Sequence, residues 1–392
     1  MSTIILEPSL LKWARKRAGL SHARLAQKVL GEASKADRVQ EWEQTGEVTF
    51  SRAEKIAEKT YTPFGFLFLD RPPKEELPIS DFRTIDNSSM RKPSPELLDV
   101  IYRCQQRQAW YREYLISTKS EPFSFRLSNT EYPIKSAKDM RAAFGIGPML
   151  SKSADTWYAN LLLHIEAIET AGVLVMRSGT VDNNAHRPLS TEEFRGFALS
   201  DKYAPLIFIN STDPLAAQLF TLIHELTHVC IGESAVSNPR QTYASTNAAE
   251  SYCNEVAAEV LVPLAEFVER WREAADEVKE IRRLSKTYKV STLVIARRAR
   301  DAGFINPGQF REFYKSEVAM YKSRLELRRA TEHGGDFHSV LSARAGHRFA
   351  SAIVASALGG GTTYKDAFRL LGIKSIVALR RFAETKYGHN PE

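Results

Sequence analysis

Cysteine is scarce in this chain, and long apolar runs are missing. The three cysteines, Cys104, Cys230 and Cys253, are odd in number and widely spaced, which argues against a disulfide framework and fits a reducing compartment. No stretch approaches the roughly 18 uninterrupted apolar residues of a membrane span, and the first residues lack a basic region ahead of a long apolar one. The sequence therefore predicts neither a membrane association nor a secretion signal, and we expect a cytoplasmic protein.

The excess of positive charge is small, but it is unevenly distributed. Lys plus Arg number 54 and Asp plus Glu 47 in 392 residues, a formal charge of +7. Residues 281–392 hold 21 basic and 9 acidic side chains, whereas residues 1–280 hold 33 and 38, so the basicity is C-terminal. With 43% hydrophobic and 26% charged residues the chain has enough apolar surface for sizeable cores, and wholesale disorder is excluded.

The length and the spacing of apolar residues predict several domains in a mainly α fold with a small β-sheet (α+β). Three short β-favouring runs, VLVMRSG, FRGFALSD and PLIFINS, predict the sheet. Two helices follow, one through Cys230 and one over Ala248–Leu261. The predicted segments are a five-helix N-terminal domain (1–70), a linker and helical connecting segment (71–150), the domain that contains the sheet (151–265) and a basic helical C-terminal domain (266–392).

The strongest chemical signal is an HExxH motif, His224-Glu225-Leu226-Thr227-His228, on the first of these two helices. Two histidines four residues apart project from one face of a helix, about 6 Å apart, within reach of one metal ion. The motif follows a β-run that ends at Ile209, on a helix predicted to begin at Asp213 and Pro214. Because that order is typical of a zinc peptidase, we predict one zinc ion per chain.

A catalytic zinc ion takes a third protein ligand and leaves a fourth position for water. The HExxHxxGxxH arrangement is excluded, because Ile231 and Ser234 occupy its glycine and third-histidine positions. A glutamate ligand is therefore indicated. The candidates are Glu233, Glu250, Glu255 and Glu259, of which the last two lie about 140° and 180° around their helix from Glu250.

The chain here resembles the ImmA/IrrE-type zinc metallopeptidases, whose pattern is HELxH followed by ExxxN near a helix that ends at a proline. The second part is Glu250-Ser251-Tyr252-Cys253-Asn254, in a helix that runs to Val262-Pro263, and the resemblance covers roughly residues 150–265. It implies a gluzincin-like fold in which His224, His228 and Glu250 bind zinc and Glu225 is the general base. Asn254, one turn after Glu250, then lies behind the ligands.

The chemistry agrees with this resemblance. Zinc lowers the pKa of its water to near 7 and polarises a carbonyl, and a neighbouring carboxylate transfers protons. An oxyanion-stabilising donor is also needed, and Tyr243, Tyr252 and Arg195 stay open as candidates. The strand between Phe197 and Leu206 is expected to offer its edge to an extended substrate.

Other interpretations of the same residues stay open. The HExxH run can be two packed histidines with no metal, and a bound zinc ion can be structural, although no fourth protein ligand stands out. Cys230 and Cys253 lie close to the motif in the sequence, but small buried cysteines in helices usually serve packing.

Residues 11–69 resemble an XRE-type helix-turn-helix domain, with Gly19-Leu20-Ser21 before the second helix and Val39, Trp42 and Gly46 marking the third. The resemblance implies a recognition helix over 34–43. Residues 31–47 carry a net charge of −3, however, which opposes contact with a polyanion. A helical domain that holds a protein partner is an equal alternative. The candidate DNA contacts are Ser34, Lys35, Arg38 and Gln40 at base edges, and Arg24, Gln27 and Lys28 near phosphates.

The basic C-terminal segment allows two interpretations. Residues 284–305 have the cadence of another helix-turn-helix with the run ARRAR on its second helix, and residues 364–382 have a similar cadence. A solvated or autoinhibitory face is the simpler interpretation. The arginines concerned are Arg282, Arg283, Arg297, Arg298, Arg300, Arg324, Arg328, Arg329, Arg380 and Arg381.

The leading hypothesis is a cytoplasmic zinc-dependent endopeptidase joined to a helix-turn-helix domain. The resemblance implies a protein substrate, a helix-turn-helix repressor whose cleavage relieves repression in mobile-element induction or stress response. One alternative is a DNA-binding transcriptional regulator whose zinc domain senses a ligand or partner with little or no proteolysis. Another is an antitoxin-like component. The intact Glu225 favours the enzyme, because a binding role would not need a general base.

Overall fold

Four helices and a two-stranded antiparallel sheet make up the N-terminal part of the computed structural model. The structure describes residues 2–81, 93–127, 132–182, 184–236, 248–272, 276–328 and 343–387, with the backbone alone at 321–328 and 385–387. Within these ranges, residues 2–78 and 93–99 form one compact unit, and residues 79–81 and 100–387 form a second.

The N-terminal unit is close to the predicted helical domain. Its elements are β1 (Thr3–Ile5), α1 (Pro8–Arg17), α2 (His22–Leu30), α3 (Ala36–Thr45), β2 (Glu47–Thr49) and α4 (Phe50–Thr60). The fifth predicted helix is a 3-10 helix, Phe64–Phe68, and a second 3-10 turn, Ala33–Lys35, precedes α3. The predicted recognition helix therefore begins two residues late, at Ala36. The core of the N-terminal unit joins the inward faces of all four α-helices, at Leu11, Leu25, Val39, Trp42 and Ile56.

The remaining elements confirm a mainly α fold with a small sheet. They are β3 (Ser80–Asp81), α5 (Pro95–Ser117), α6 (Pro133–Phe144), α7 (Pro148–Ser153), α8 (Trp157–Thr170), β4 (Leu174–Ser178), β5 (Gly196–Leu199), β6 (Leu206–Asn210), α9 (Leu215–Ile231), β7 (Ala235–Val236), α10 (Ala248–Leu261), α11 (Leu264–Arg270), α12 (Glu277–Tyr288), α13 (Thr292–Asp301), α14 (Pro307–Arg328), α15 (His347–Leu358), α16 (Tyr364–Leu371) and α17 (Ile376–Tyr387). The helix predicted over Ala248–Leu261 is confirmed at both ends, and α9 begins one residue later than predicted.

The sheet has the order β3-β7-β5-β6-β4. Strands β4 and β6 are parallel, with Leu174 opposite Leu206, and β5 runs antiparallel to β6. On its other side β5 pairs with β7, where Phe197 lies opposite Val236. The expectation of a free strand edge at 197–206 is therefore wrong, because β5 has a neighbour on each side and β6 already begins at Leu206.

Helix α9 is the central helix of the second unit. It packs on β5 and β6 on one side and on α8 and α10 on others. One continuous core joins these elements to α6, α12 and α13 through residues such as Leu222, Leu226, Val256 and Ile295. A helix surrounded in this way is apolar nearly all round, so polar side chains on α9 are buried wherever they occur.

Within the second unit, buried arginines donate hydrogen bonds to the C-terminal helices. Arg107 of α5 donates to the carbonyl oxygen of Leu370 at 2.9 Å, and Arg344 donates to that of Leu371 at 2.9 Å. The last carbonyls of a helix lack partners within the helix and carry partial negative charge, so guanidinium groups stabilise the end of α16. At least one arginine of the basic C-terminal segment, Arg344, therefore stabilises the fold.

Across the described ranges, no helix is both long enough and apolar enough to cross a bilayer.

Candidate metal centre

Three side chains from α9 and α10 converge on one point. His224 and His228 lie on one face of α9, and Glu250 lies in the first turn of α10. Nε2 of His228 is 3.2 Å from Nε2 of His224 and 3.0 Å from Oε1 of Glu250, and Nε2 of His224 is 3.4 Å from Oε2 of Glu250. All three residues are buried, at 4%, 0% and 1% exposure.

This arrangement fits a zinc ion. Ligand atoms about 2.0–2.2 Å from a tetrahedral ion lie about 3.3 Å from one another, which is close to all three separations here. Two neutral imidazoles and one carboxylate are the ligand set of a catalytic zinc site, in which the fourth position stays available for water. A metal site needs at least three His, Cys, Asp or Glu side chains with their ligand atoms close together. Among the described residues, His224, His228 and Glu250 meet this condition, with their ligand atoms all within 4.8 Å of one another.

The electrostatics of the site couple Glu250 to the two histidines. Burial alone would raise the pKa of Glu250, but the two facing imidazoles lower it to about 2. Burial would lower the pKa of His228, yet its neighbours Cys253, Glu233 and Glu250 raise it well above its usual value. A metal ion bound here would replace the protons of the imidazoles, because histidine coordinates metal in its neutral form.

The other acidic candidates for the third ligand are engaged elsewhere. Glu255 is exposed and accepts a hydrogen bond from the Ser251 hydroxyl. Glu259 forms a buried ion pair with Arg298 at 2.8 Å. Glu233 lies on the far side of His228, with Oε2 at 3.7 Å from Nδ1, so it faces the nitrogen that points away from the centre.

Glu225 follows His224 on α9 and is fully buried. It lies beside β5 at Gly196, where an added Cβ would be 3.2 Å from Cγ of Glu225 and only 2.6 Å from Cγ2 of Thr221. The glycine thus lets the sheet approach the helix closely at the level of the motif. This is a role for Gly196 that the sequence pattern alone did not reveal.

The sequence also suggests one residue behind the ligands, Asn254, and three candidate donors to an oxyanion, Tyr243, Tyr252 and Arg195. Asn254 is buried one turn after Glu250. The Tyr252 hydroxyl donates to Ser136 of α6 at 2.7 Å, and Arg195 lies 3.5 Å from Asp213. Tyr243 lies outside the described residues.

The three cysteines are free and buried. Burial raises the pKa of the Cys104 thiol to about 12 and also raises the pKa of Cys230 and Cys253. Thiols held protonated are poor nucleophiles and poor metal ligands, which agrees with a packing role.

The N-terminal residues considered for DNA contact are exposed, but several are engaged within their own unit. The Gln27 side chain donates to the Gly31 carbonyl oxygen and accepts from the Ala33 amide, so it caps the end of α2. Lys35 pairs with Glu32, and Arg38 pairs with Glu41. The remaining candidates for DNA contact, Arg24, Lys28, Ser34 and Gln40, are also exposed.

One arginine of the basic run on α13 is internal, and Arg297 and Arg300 are partly exposed. Arg298 is 6% exposed and its ion pair with Glu259 connects α13 to α10. Val294, Ile295, Ala296 and Ala299 of the same helix are buried in the core. The interpretation of residues 284–305 as a nucleic-acid-binding helix-turn-helix therefore loses Arg298, because a buried, paired guanidinium cannot reach a phosphate.

Two family models match the chain. Residues 168–300 match the IrrE N-terminal-like domain (Peptidase_M78), and residues 345–385 match a domain of unknown function (DUF8813). In the comparisons with curated proteins and with solved structures, no match is significant. The first match runs from α8 to α13 and contains all three converging side chains, which supports a metallopeptidase-type hydrolase domain in this part of the chain.

Proposed function

We propose that the chain is a zinc-dependent endopeptidase that regulates gene expression by cleaving a helix-turn-helix repressor. The observation that carries the proposal is the convergence of His224, His228 and Glu250, with Glu225 beside them, inside the segment that matches a peptidase family. The first three residues would hold the ion. Zinc in such a site supplies Lewis acidity toward a carbonyl and a lowered pKa for a coordinated water.

Glu225 performs the proton transfers in this proposal. Its carboxylate accepts a proton as water attacks the scissile carbonyl, and it then delivers that proton to the departing amide nitrogen. Glu225 is buried, its Cγ lies on the sheet side of α9 beside Gly196, and it directly follows the first histidine of the motif. Arg195 and Tyr252 are the described candidates for stabilising the oxyanion, and in the structure they contact Asp213 and Ser136 respectively.

A cavity beside α9 with apolar and charged walls offers a place for a substrate side chain. It has a volume of about 210 Å³, and its lining includes Ala217 and Phe220 of α9 as well as the charged residues Arg195, Asp213 and Glu317. Ala217 and Phe220 precede His224 by seven and four residues, so they share its face of the helix. We infer that the cavity receives a substrate side chain next to the scissile bond.

The resemblance of residues 11–69 to a helix-turn-helix domain motivates the choice of substrate. A helical unit that resembles a helix-turn-helix domain can associate with a partner of similar shape, and its acidic third helix is better suited to a protein than to DNA. The N-terminal unit would then hold the protein that the metal centre cleaves. DNA binding by this unit remains the alternative, with the zinc domain as a sensor or as part of an antitoxin-like pair.

Metal content tests the ligand set. After exhaustive dialysis, elemental analysis should find about one zinc ion per wild-type chain and none in His224→Ala or Glu250→Ala. Glu225→Gln and the control Glu255→Gln should keep the ion, because neither side chain is a ligand. A wild-type chain without metal would leave the motif as two packed histidines and end the peptidase proposal.

Cleavage is tested by comparing protein N-termini in cells that express the wild type or Glu225→Gln. The wild type should generate new N-termini in a helix-turn-helix protein, and Glu225→Gln should reduce them by on the order of 10²-fold or more, since it removes the proton-transfer group. Glu255→Gln, exposed on α10, should cleave like the wild type. Zinc-loaded wild type with no cleavage above Glu225→Gln would favour the sensor alternative.

A further inference from the structure

The C-terminal residues 346–387 form three short helices with a tight second turn. Helix α16 has eight residues and ends at Gly372, whose φ of +67° is the left-handed conformation that suits glycine. Four residues, 372–375, separate it from α17, and Ser375 accepts a hydrogen bond from the Ala378 amide. Helix α15 contacts both α16 and α17. A helix, a short turn that contains glycine and a second helix are the parts of a helix-turn-helix.

Helix α17 has one buried and one exposed face. Leu379, Phe382 and Ala383 are buried against the other two helices. The outward stripe follows the helical repeat through Val377, Arg380, Arg381 and Glu384, all of them exposed, and Val377 is 69% exposed. This exposed stripe is the side of the second helix that would face a groove.

The exposed charge on these two helices is basic. Between residues 364 and 384 the basic side chains are Lys365, Arg369, Lys374, Arg380 and Arg381, and the acidic ones are Asp366 and Glu384. All five basic residues are exposed. Asp366 is partly neutralised by Arg369 at 3.2 Å. These side chains are distinct from Arg107 and Arg344, which stabilise the fold from inside.

The other two segments with a helix-turn-helix cadence lack this surface. In the N-terminal unit, residues 31–47, which include α3, carry a net charge of −3. In the α12–α13 pair, the second helix is largely buried and its Arg298 is internal. Charge and exposure together single out α17 among the three.

We propose that residues 346–387 bind double-stranded DNA, with α17 in the major groove. Val377 and Arg381 would reach base edges, where an apolar group can contact a thymine methyl and arginine can pair with guanine. Lys374, in the turn before α17, and Lys365, on α16, would contact phosphates. The major groove of B-DNA admits a helix whereas that of duplex RNA does not, so the partner is DNA. This inference does not depend on proteolysis.

Fluorescence anisotropy with the full-length chain tests the proposal. The probe is a random-sequence DNA duplex of about 24 base pairs, titrated between 50 and 200 mM KCl, with an RNA duplex of the same sequence for comparison. The triple variant Lys374→Ala/Arg380→Ala/Arg381→Ala should bind DNA at least tenfold more weakly. The slope of log affinity against log salt should also fall by about 0.9 for each phosphate contact removed.

A matched variant removes the same charge elsewhere. Lys286→Ala/Arg311→Ala/Lys315→Ala changes three exposed cations on α12 and α14 and should keep most of the affinity and slope. Arg24→Ala/Lys28→Ala separates any contribution of the N-terminal unit. If the triple variant loses structure, hydrogen exchange of the wild type with and without DNA gives the result instead, with protection expected in α17.

Four results would overturn the proposal. These are no DNA binding by the wild type at 50 mM KCl, equal losses in the two triple variants, tighter binding of the RNA duplex, or DNA protection confined to other helices. Loss of binding in Arg24→Ala/Lys28→Ala alone would transfer the DNA contact to the N-terminal unit.

Discussion

Gly196 is the residue at which the sheet and α9 come closest. An added Cβ would lie 2.6 Å from Cγ2 of Thr221 and 2.8 Å from the Phe208 carbonyl oxygen. Because the second contact is with backbone, a side chain there cannot be relieved by a rotamer change alone. Either β5 or β6 must shift to relieve that contact, and the contacts with Thr221 and Glu225 press on α9, which carries the two histidines.

We therefore expect Gly196→Ala to destabilise the contact between β5 and α9. Overpacking of this kind costs about 1–3 kcal/mol, and the shift should also weaken zinc binding. Hydrogen exchange of the β5 and β6 amides measures the first effect and zinc titration the second. Gly65→Ala is the matched control, since nothing lies within 4 Å of its Cβ position. Equal protection in both variants would contradict this account of Gly196.

Individual residues also show where sequence reasoning reaches its limit. The spacing of His224 and His228 fixes their common helix face, so their convergence could be predicted. The third ligand could not be derived from spacing alone, because Glu233, Glu250, Glu255 and Glu259 all lie nearby in the sequence. The resemblance selected Glu250, and the separations of 3.0 and 3.4 Å agree with it. Nothing in the run ARRAR reveals that Arg298 points inward, since its partner Glu259 is 39 residues away.

At the scale of elements, the long helices were predictable and the shortest strands were not. Helix α10 follows from its apolar period and from the proline after it. Strands β3 and β7 have two residues each and exist only because they pair within the sheet. A strand of that length carries no period in the sequence, which is why the edge of β5 was expected to be free.

The junction between α8 and α15 depends on a buried acid. Glu169 of α8 accepts a hydrogen bond from the Arg348 amide at 3.3 Å, in the first turn of α15. Burial raises the pKa of Glu169 to about 7, against the lowering effect of Arg348. An acid whose pKa is raised by folding stabilises the folded state below its unfolded pKa. That contribution is lost as the pH rises through the folded value.

The free energy of unfolding should therefore depend on pH through Glu169. Between about pH 4.5 and pH 8 the wild type should lose on the order of 3 kcal/mol relative to Glu169→Gln, which keeps an acceptor oxygen but cannot ionise. Urea unfolding of both proteins across this range measures the difference. Glu166→Gln, exposed on the same helix, should follow the wild type at every pH. A constant difference between wild type and Glu169→Gln would contradict the raised pKa.

The whole molecule consists of two compact units with separate cores. The core of the first unit contains Leu25 and Trp42, and that of the second contains Leu226 and Val256. The three side chains that could hold a metal ion, His224, His228 and Glu250, all belong to the second unit, where an ion would join α9 to α10. Because metal stabilises only the part of a chain that binds it, zinc should act on one unit and leave the other unchanged.

Thermal unfolding should accordingly show two transitions, of which only one depends on zinc. A chelator or His224→Ala should lower the midpoint of the transition of the second unit, and Leu25→Ala, which opens a cavity costing about 2–5 kcal/mol, should lower only the other. Calorimetry gives the midpoints, and hydrogen exchange assigns each transition to a unit. A single transition that responds to both variants would mean that the two units unfold together. If the midpoints did not respond to zinc, the ion would not connect α9 and α10, and the metal centre itself would be in question.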